Sequence, residues 1–145
     1  KELFTAQRGR GAFFNNHRIY VTKNYRSERL LLATGFPYKV YDHLDKYLPL
    51  LGDLIKSTAG VRRAGSAALD LAYTACGRYD GFWEYHLNAW DIAAGALLVR
   101  EAGGIVTDFK GDDGFLKSGN IIATNGKIHS MVLEKVQAHF GLSFE

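Results

Sequence analysis

The chain has 145 residues, with 18 Lys and Arg against 15 Asp and Glu, and 47% of its residues are apolar. This composition is typical of one globular domain and excludes a disordered chain. Residues 92–99 form the longest uncharged apolar run of the C-terminal half, and eight residues fall short of the roughly 20 that a membrane span needs. The single cysteine, Cys76, excludes a disulfide framework and a paired-cysteine zinc site and favours a cytoplasmic location.

Short strands are expected in the first 35 residues. Apolar segments at residues 3–6 and 12–14, followed by residues 19–22 after a turn-like Asn-Asn-His sequence, predict an antiparallel meander. Residues 29–34 are almost continuously apolar and predict a buried strand that ends before Gly35.

Helices and strands alternate in the middle of the chain. Apolar residues at a 3.6-residue period predict a helix over residues 40–57, which Pro49 and Gly52 should bend or divide. A short strand is expected at residues 61–63. Small residues then open a second helix over residues 67–76, which a glycine ends.

The last 65 residues continue the alternation. Residues 81–87 alternate apolar and polar side chains and predict a half-buried strand, and a third helix follows over residues 88–102. Strands are expected at residues 105–107 and 121–124, and a last helix at residues 129–140. This order predicts an α/β fold with a layered mixed β-sheet and flanking helices.

The basic charge is concentrated near the N-terminus. Residues 1–29 hold two acids and seven bases and have a net charge of +5, whereas the remaining residues hold eleven bases and thirteen acids and have a net charge of −2. A basic segment can bind a polyanion or form a solvated face. Because we find no aromatic residues interleaved as a stacking platform, we favour the solvated face and expect no nucleic-acid partner.

Two acidic residues stand out in the densest polar segment, residues 84–91. Glu84 lies near the end of a predicted strand, and Asp91 lies in the first turn of the next helix, where free N–H groups and the helix dipole favour a carboxylate. A carboxylate held on a helix end suits a hard cation such as Mg²⁺, and Trp90 beside it could shield the site from water. Asn88 and Asp91 also form a capping-box-like pair, so a purely structural role stays open.

A second candidate is the turn at residues 65–68. Its small residues leave backbone N–H groups open to an anion or a hydroxyl-rich ligand, although Ser66 is equally suited to be an N-cap. Arg62 and Arg63 precede the turn and could receive a phosphate or face solvent. Since side chains alternate along a strand, at most one of them should face a given site.

The remaining candidates are weaker. His17 is expected on the surface, and His86 could face either side of its strand. Cys76 has no activating base nearby in sequence and is expected in the core. Asp112 and Asp113 between glycines are typical of a hairpin tip rather than of a metal site.

Several motifs together resemble one known family. Residues 90–104, WDIAAGALLVREAGG, closely resemble the C-terminal signature of the inositol monophosphatase family. Residues 60–73 (GVRRAGSAALDLAY) and 77–84 (GRYDGFWE) are similar to the same family at the same spacing, and residues 2–6 and 9–13 resemble the hairpin that precedes this half. The resemblance covers essentially the whole chain.

The resemblance implies a role for each candidate residue. The family's Trp-Asp-x-Ala-Ala-Gly aspartate binds an active-site Mg²⁺, which implies Asp91 as a metal ligand. The glutamate seven residues earlier contacts a substrate hydroxyl, which implies Glu84. The Gly-Ser/Thr-Ala turn lines the inositol or sugar ring, which implies Gly65, Ser66 and Ala67. The implied fold is the C-terminal half of the sugar-phosphatase αβαβα sandwich.

One half of the family's site is not found in this sequence. The other metal ligands come from a glutamate pair and an Asp-Pro-Ile/Leu-Asp-Gly-Thr motif of the N-terminal half, which carries the water-activating groups too. No such motif occurs here, and the only methionine is Met131. We therefore interpret residues 1–145 as the C-terminal lobe, with residues 1–29 joining it to an N-terminal lobe.

The resemblance implies a homodimeric, magnesium-dependent phosphomonoesterase that hydrolyses inositol monophosphate or a related polyol or sugar phosphate with a metal-activated water. Relatives specific for fructose 1,6-bisphosphate, histidinol phosphate or nucleotide phosphates are alternatives. Another hypothesis is a non-catalytic binding or assembly module, because one good ligand is too few for tight metal capture.

Overall fold

The computed structural model describes residues 1–37 and 41–145, and its N-terminal part forms a three-stranded antiparallel sheet. The strands are β1 (Phe4–Gln7), β2 (Gly11–Phe14) and β3 (His17–Ile19). The predicted meander is confirmed, but its third strand was expected two residues too late. Asn15 and Asn16 both have positive φ, which makes a tight two-residue hairpin and lets β3 start at once.

The second sheet has five strands in the order β5-β4-β6-β8-β7. They are β4 (Leu31–Thr34), β5 (Gly60–Arg62), β6 (Gly81–Glu84), β7 (Ile105–Thr107) and β8 (Ile121–Thr124). Strands β5, β4 and β6 are parallel, whereas β8 runs antiparallel to both β6 and β7. The mixed sheet and the α/β class are therefore as predicted.

The central strand β6 differs from its prediction. A half-buried strand was expected over residues 81–87, but β6 ends at Glu84, and Gly81, Phe82 and Trp83 are all buried. The reason is that β6 lies between β4 and β8 in a sheet whose two faces are both covered by helices.

In the part of the chain that the structure describes, five α-helices accompany the sheets. They are α1 (Leu44–Ser57), α2 (Ala67–Ala75), α3 (Ala89–Glu101), the short α4 (Phe115–Ser118) and α5 (His129–Phe140). The predicted start of the first helix, Val40, lies outside the described residues. Neither Pro49 nor Gly52 divides α1, which is continuous from Leu44 to Ser57. Among the described residues, no helix has both the length and the apolar character that crossing a membrane requires.

The molecule is layered. Helices α2 and α3 pack between the two sheets, and α1 and α5 cover the other face of the five-stranded sheet. Gly95 of α3 lies against Leu71 of α2, and a Cβ at Gly95 would stand only 2.5 Å from the Leu71 Cβ. The glycine thus lets α2 and α3 approach closely, which sets the two helix N-termini side by side.

Candidate functional site

A polar cavity of about 290 Å³ opens where β4 and β6 end and where α2 and α3 begin. In parallel α/β arrangements, ligands bind beyond the carboxyl ends of the strands. The cavity is lined by Gly35, Arg63, Gly65, Ser66, Ala67, Ala68, Asp70, Glu84, Leu87 and Asp91. All five residues singled out from the sequence for metal or substrate binding therefore line one cavity.

Glu84 is the last residue of β6, and its carboxylate lies against the backbone of Gly35 at the end of β4. A Cβ at Gly35 would overlap the Glu84 carboxylate, so a larger residue there would displace that carboxylate from this position. The pKa of Glu84 is raised to about 7, mainly by burial and also by the nearby Asp70 carboxylate, while Arg63 acts in the opposite direction. Glu84 can therefore be protonated at neutral pH and either donate or accept a hydrogen bond.

Asp91 both caps α3 and faces the cavity. The backbone N–H of Asn88 donates to Asp91 Oδ2 over 2.9 Å, which confirms the capping role. A carboxylate on a helix end suits a hard cation, so Asp91 fits a magnesium ion as one ligand. Within residues 1–37 and 41–145, however, no three His, Cys, Asp or Glu side chains gather closely enough to hold a metal.

The turn before α2 has the conformation that a close ligand approach requires. Gly65 has φ +98, which glycine adopts without strain. The backbone N–H of Leu69 donates to Ser66 Oγ over 3.4 Å. Ser66 is therefore an N-cap, which was one of the two roles predicted for it. Arg63 lines the cavity, which agrees with the expectation that at most one of the two arginines faces the site.

Asp70, in the first turns of α2, was not among the residues predicted from the sequence. Asp70 is 1% exposed, and among the described residues its Oδ1 has no hydrogen-bond partner. Burial raises the pKa of Asp70 to about 6, although Arg63 lowers it. A carboxylate between Leu69 and Leu71, on a helix that is otherwise mostly apolar, was the available signal.

Two expectations for single residues, Trp90 and Cys76, were wrong. Trp90 is 81% exposed and does not line the cavity, because it is on the outer side of the first turn of α3, so it cannot shield the site. Cys76 is only half-buried, since it caps the C-terminus of α2, where its thiol donates to the Tyr73 carbonyl over 3.6 Å. His86 is exposed at a positive φ beyond the end of β6, and His17 is exposed as expected.

The polar segment between β7 and β8 is a turn, as expected for Asp112 and Asp113, and the short α4 follows it. Both aspartates are exposed, and Asp113 forms an ion pair with Arg100 of α3. These residues therefore lie apart from the cavity lining.

The basic hairpin carries aromatic contacts that the sequence analysis missed. The Arg18 guanidinium lies 5.6 Å from the Phe13 ring centroid and 5.3 Å from the Tyr20 centroid. Cross-strand pairing of Phe13 with Arg18 produces this arrangement. On the α3 side, Glu101 accepts the backbone N–H groups of Gly9 and Gly11 at 2.8 Å each, which fixes the hairpin turn.

Comparison with known proteins identifies the family. The model of the inositol monophosphatase family matches residues 1–140. The chain belongs to the inositol monophosphatase family. Among curated relatives, the Nus factor SuhB of Pseudomonas aeruginosa is 52% identical over 141 residues, which are 96% of this chain and 52% of the relative. The putative Nus factor SuhB of Neisseria meningitidis serogroup B is 50% identical over 138 residues, which are 95% of this chain and 53% of the relative.

Solved structures of the family share the fold. The extragenic suppressor protein suhB of Bartonella henselae matches with a TM-score of 0.89 at 48% identity, over 94% of this chain and 52% of that one. Inositol monophosphatase from Anabaena matches with a TM-score of 0.88 at 40% identity, over 99% of this chain and 57% of that one. The chain spans about half the length of the curated relatives it matches.

Proposed function

We propose that this chain is the C-terminal lobe of a magnesium-dependent phosphomonoesterase that hydrolyses inositol monophosphate or a related polyol phosphate. The observation that carries the proposal is the shared cavity. Two carboxyl groups from different elements, Glu84 and Asp91, and the glycine turn at Gly65 line the same 290 Å³ space. Family membership supports a phosphatase-type site.

Each of these residues has a separate task in the proposed site. The carboxyl group of Glu84 binds a hydroxyl of the polyol, and the backbone of residues 65–67 lies along the ring. Asp91, fixed by the Asn88 N–H, presents an oxygen to the metal. Because β6 and the starts of α2 and α3 are rigid elements, the polyol would be held in one orientation relative to the phosphate.

Asp91 would hold Mg²⁺ together with ligands of an N-terminal lobe, and residues 1–29 would join the two lobes. When bound, the metal supplies charge neutralisation on the phosphate oxygens and a water of lowered pKa. We place the full-length protein in the cytoplasm, as a homodimer.

Phosphate release from inositol monophosphate by the full-length protein, with and without Mg²⁺, tests this proposal. We expect Asp91→Asn to lower the magnesium-dependent kcat by about 100-fold or more, because a charged ligand is lost. Asp45→Asn is the matched control, since Asp45 also lies in the first turn of a helix, α1, but outside the cavity lining. Turnover of Asp91→Asn within a few-fold of the wild type would refute the assignment.

A second candidate function is a binding or assembly module without catalysis. It is favoured by the name Nus factor that the relatives at 50–52% identity carry, and by the finding that no three metal-ligating side chains gather among the described residues. The same assay separates the two candidates. Magnesium-dependent phosphate release that Asp91→Asn abolishes supports the enzyme, and full-length protein without any turnover supports the module.

A further inference from the structure

Asp70 is a buried acid without an evident structural task. Asp70 is one of the residues that line the polar cavity, and it is 1% exposed. Its main-chain groups serve the helix, since the N–H donates to the Ser66 carbonyl at 2.9 Å and its carbonyl accepts the Thr74 hydroxyl at 2.9 Å. Its side-chain Oδ1 has no hydrogen-bond partner among the described residues.

Such an unpaired group is costly. A buried polar atom without a partner destabilises the folded state by about 1–3 kcal/mol, and more when it is charged. Buried polar atoms in native proteins nearly always have a partner, and an exception calls for a missing ligand or a function. The other buried acids illustrate this: Asp80 accepts the Leu31 N–H at 2.8 Å, and Asp108 accepts the Lys110 N–H at 2.9 Å.

The charged surroundings of Asp70 fit a hydroxyl better than a cation. Three other charged or ionisable side chains line the cavity with Asp70, namely Arg63, Glu84 and Asp91. Arg63 already offsets negative charge there, and no three acidic or histidine side chains of the described residues gather to hold a metal. A hydroxyl both donates and accepts, so it can pair with Asp70 whether or not that carboxyl is ionised.

We infer that Asp70 is a further ligand-binding residue of the cavity, which hydrogen-bonds a second hydroxyl of the polyol whose first hydroxyl Glu84 binds. The inference rests on the proposed function, because it concerns the same ligand. It also specifies the ligand class: a leaving group with two neighbouring hydroxyls that point to the same side. A phosphate ester of a simple phenol offers neither hydroxyl.

The test compares two substrates in the full-length protein. With inositol 1-phosphate, Asp70→Leu should lower kcat/KM by about 10- to 100-fold, chiefly through KM, because a site built for a hydroxyl loses one partner. With phenyl phosphate the same variant should change kcat/KM by less than about threefold. Asp70→Asn keeps a hydrogen-bonding group and should retain most of the polyol activity. Asp112→Asn, at an exposed aspartate outside the cavity, is the control.

Analogues of inositol 1-phosphate that lack one ring hydroxyl test the pairing without relying on the variant's fold. The wild type should turn over one of these analogues more slowly than inositol 1-phosphate. Asp70→Leu should turn over that analogue no more slowly than the wild type does. Equal losses of Asp70→Leu on inositol 1-phosphate and phenyl phosphate would overturn the inference in favour of a structural role. If every deoxy analogue is turned over as well as the parent, the inference also fails.

Failure of the proposed function has a different signature. The wild type would then release phosphate from neither substrate, and calorimetric titration with inositol 1-phosphate would decide the inference on its own. Binding by the wild type that Asp70→Leu weakens at least tenfold would preserve Asp70 as a ligand-binding residue. Absence of binding by the wild type would overturn both proposals together.

Discussion

The two faces of the five-stranded sheet are covered by helices of opposite character. On one face, α2 and α3 pack through small residues, and Gly95 lies against Leu71. On the other face, α1 and α5 pack through large side chains, including Tyr47 and Phe140. Only the first face carries the polar cavity, at the N-termini of its two helices.

This difference shows what small residues do in the fold. Where helices touch almost backbone to backbone, their relative position has little freedom, because no flexible side chain lies between them. The helix N-termini that hold Ser66 and Asp91 are therefore fixed with respect to each other. The face with large side chains buries more apolar surface per residue and contributes mainly to stability.

A glycine in each face tests the contrast, and this prediction has the largest expected effect. Gly95→Ala places a Cβ 2.5 Å from the Leu71 Cβ, so we expect unfolding free energy to fall by about 2–3 kcal/mol. Gly52 lies inside α1, and among the described residues nothing stands within 4 Å of a Cβ there. Gly52→Ala should therefore stabilise by about 0.5–1 kcal/mol. Urea unfolding monitored by circular dichroism measures both.

The Gly95 result can be assigned to the contact by a double substitution. Leu71→Ala alone leaves a cavity, but it also removes Cδ1 and Cγ, which would lie 2.6 and 3.1 Å from a Cβ at Gly95. Combined with Gly95→Ala, it should therefore cost less than the two single effects added together, although the Cβ of residue 71 remains. Additive effects, or a harmless Gly95→Ala, would show that α2 and α3 are not packed as tightly as the structure indicates.

Two buried titratable groups, one on each face, respond to pH in opposite directions. The pKa of Asp70, beside the cavity, is raised to about 6 by burial. The pKa of His129, at the start of α5, is lowered to about 4 by burial. Its ring nitrogens pair with the Thr107 and Thr124 hydroxyls at 2.9 and 3.0 Å. Burial favours the neutral form in both cases.

The second prediction follows from these signs. Between pH 4 and 6, folded Asp70 binds more protons than unfolded Asp70, so its contribution to stability is lost as pH rises. Folded His129 binds fewer protons than the unfolded form, so its contribution is lost as pH falls from about 6.5 to 4. From pH 4 to pH 7, the unfolding free energy of Asp70→Asn should rise by about 1–2 kcal/mol relative to that of the wild type. Over the same interval, the unfolding free energy of His129→Gln should fall relative to that of the wild type.

Denaturant unfolding at four pH values between 4 and 7 measures both slopes, with Asp112→Asn as a control that changes neither. Parallel pH curves for Asp70→Asn and the wild type would mean that Asp70 is not buried as the structure has it.

The sequence predicted most elements because each leaves a local pattern. The helix over residues 129–140 has the predicted bounds, since a 3.6-residue period and its end signals lie within that stretch. The strand β6 was predicted too long, because apolar and polar residues continue to alternate after Glu84. Where the strand ends and how deeply it is buried depend instead on its neighbours β4 and β8. Patterns within a segment do not report on distant neighbours.

The same limit applies to the site. Asp91 and Glu84 were found because a helix end and a family motif mark them in sequence. Gly35 was recognised only as the end of a strand, since its task, leaving room for Glu84, arises 49 residues away in sequence. Asp70 was missed because its burial results from the packing of α2 against the sheet.

The smallest expected effect concerns two tyrosines of the large-residue face. The Tyr47 hydroxyl pairs with Thr34 Oγ1 at 3.1 Å, whereas the buried Tyr85 hydroxyl has no partner among the described residues. Tyr47→Phe should therefore lower the unfolding free energy by about 1 kcal/mol, because a buried hydrogen bond is lost. The Tyr85 hydroxyl loses its hydration on folding and gains no hydrogen bond among the described residues in return. Tyr85→Phe should therefore be neutral or stabilising by up to about 1 kcal/mol.

Thermal and urea unfolding of the two variants side by side measure this difference. A clear destabilisation by Tyr85→Phe would reveal a partner for that hydroxyl. Since neither Asp70 Oδ1 nor the Tyr85 hydroxyl has a partner within residues 1–37 and 41–145, comparing the two also separates two explanations for an unpaired buried group. If removing the Tyr85 hydroxyl is harmless while Asp70→Leu impairs selection of the polyol, the unpaired group at the cavity serves a ligand and the one on the opposite face does not.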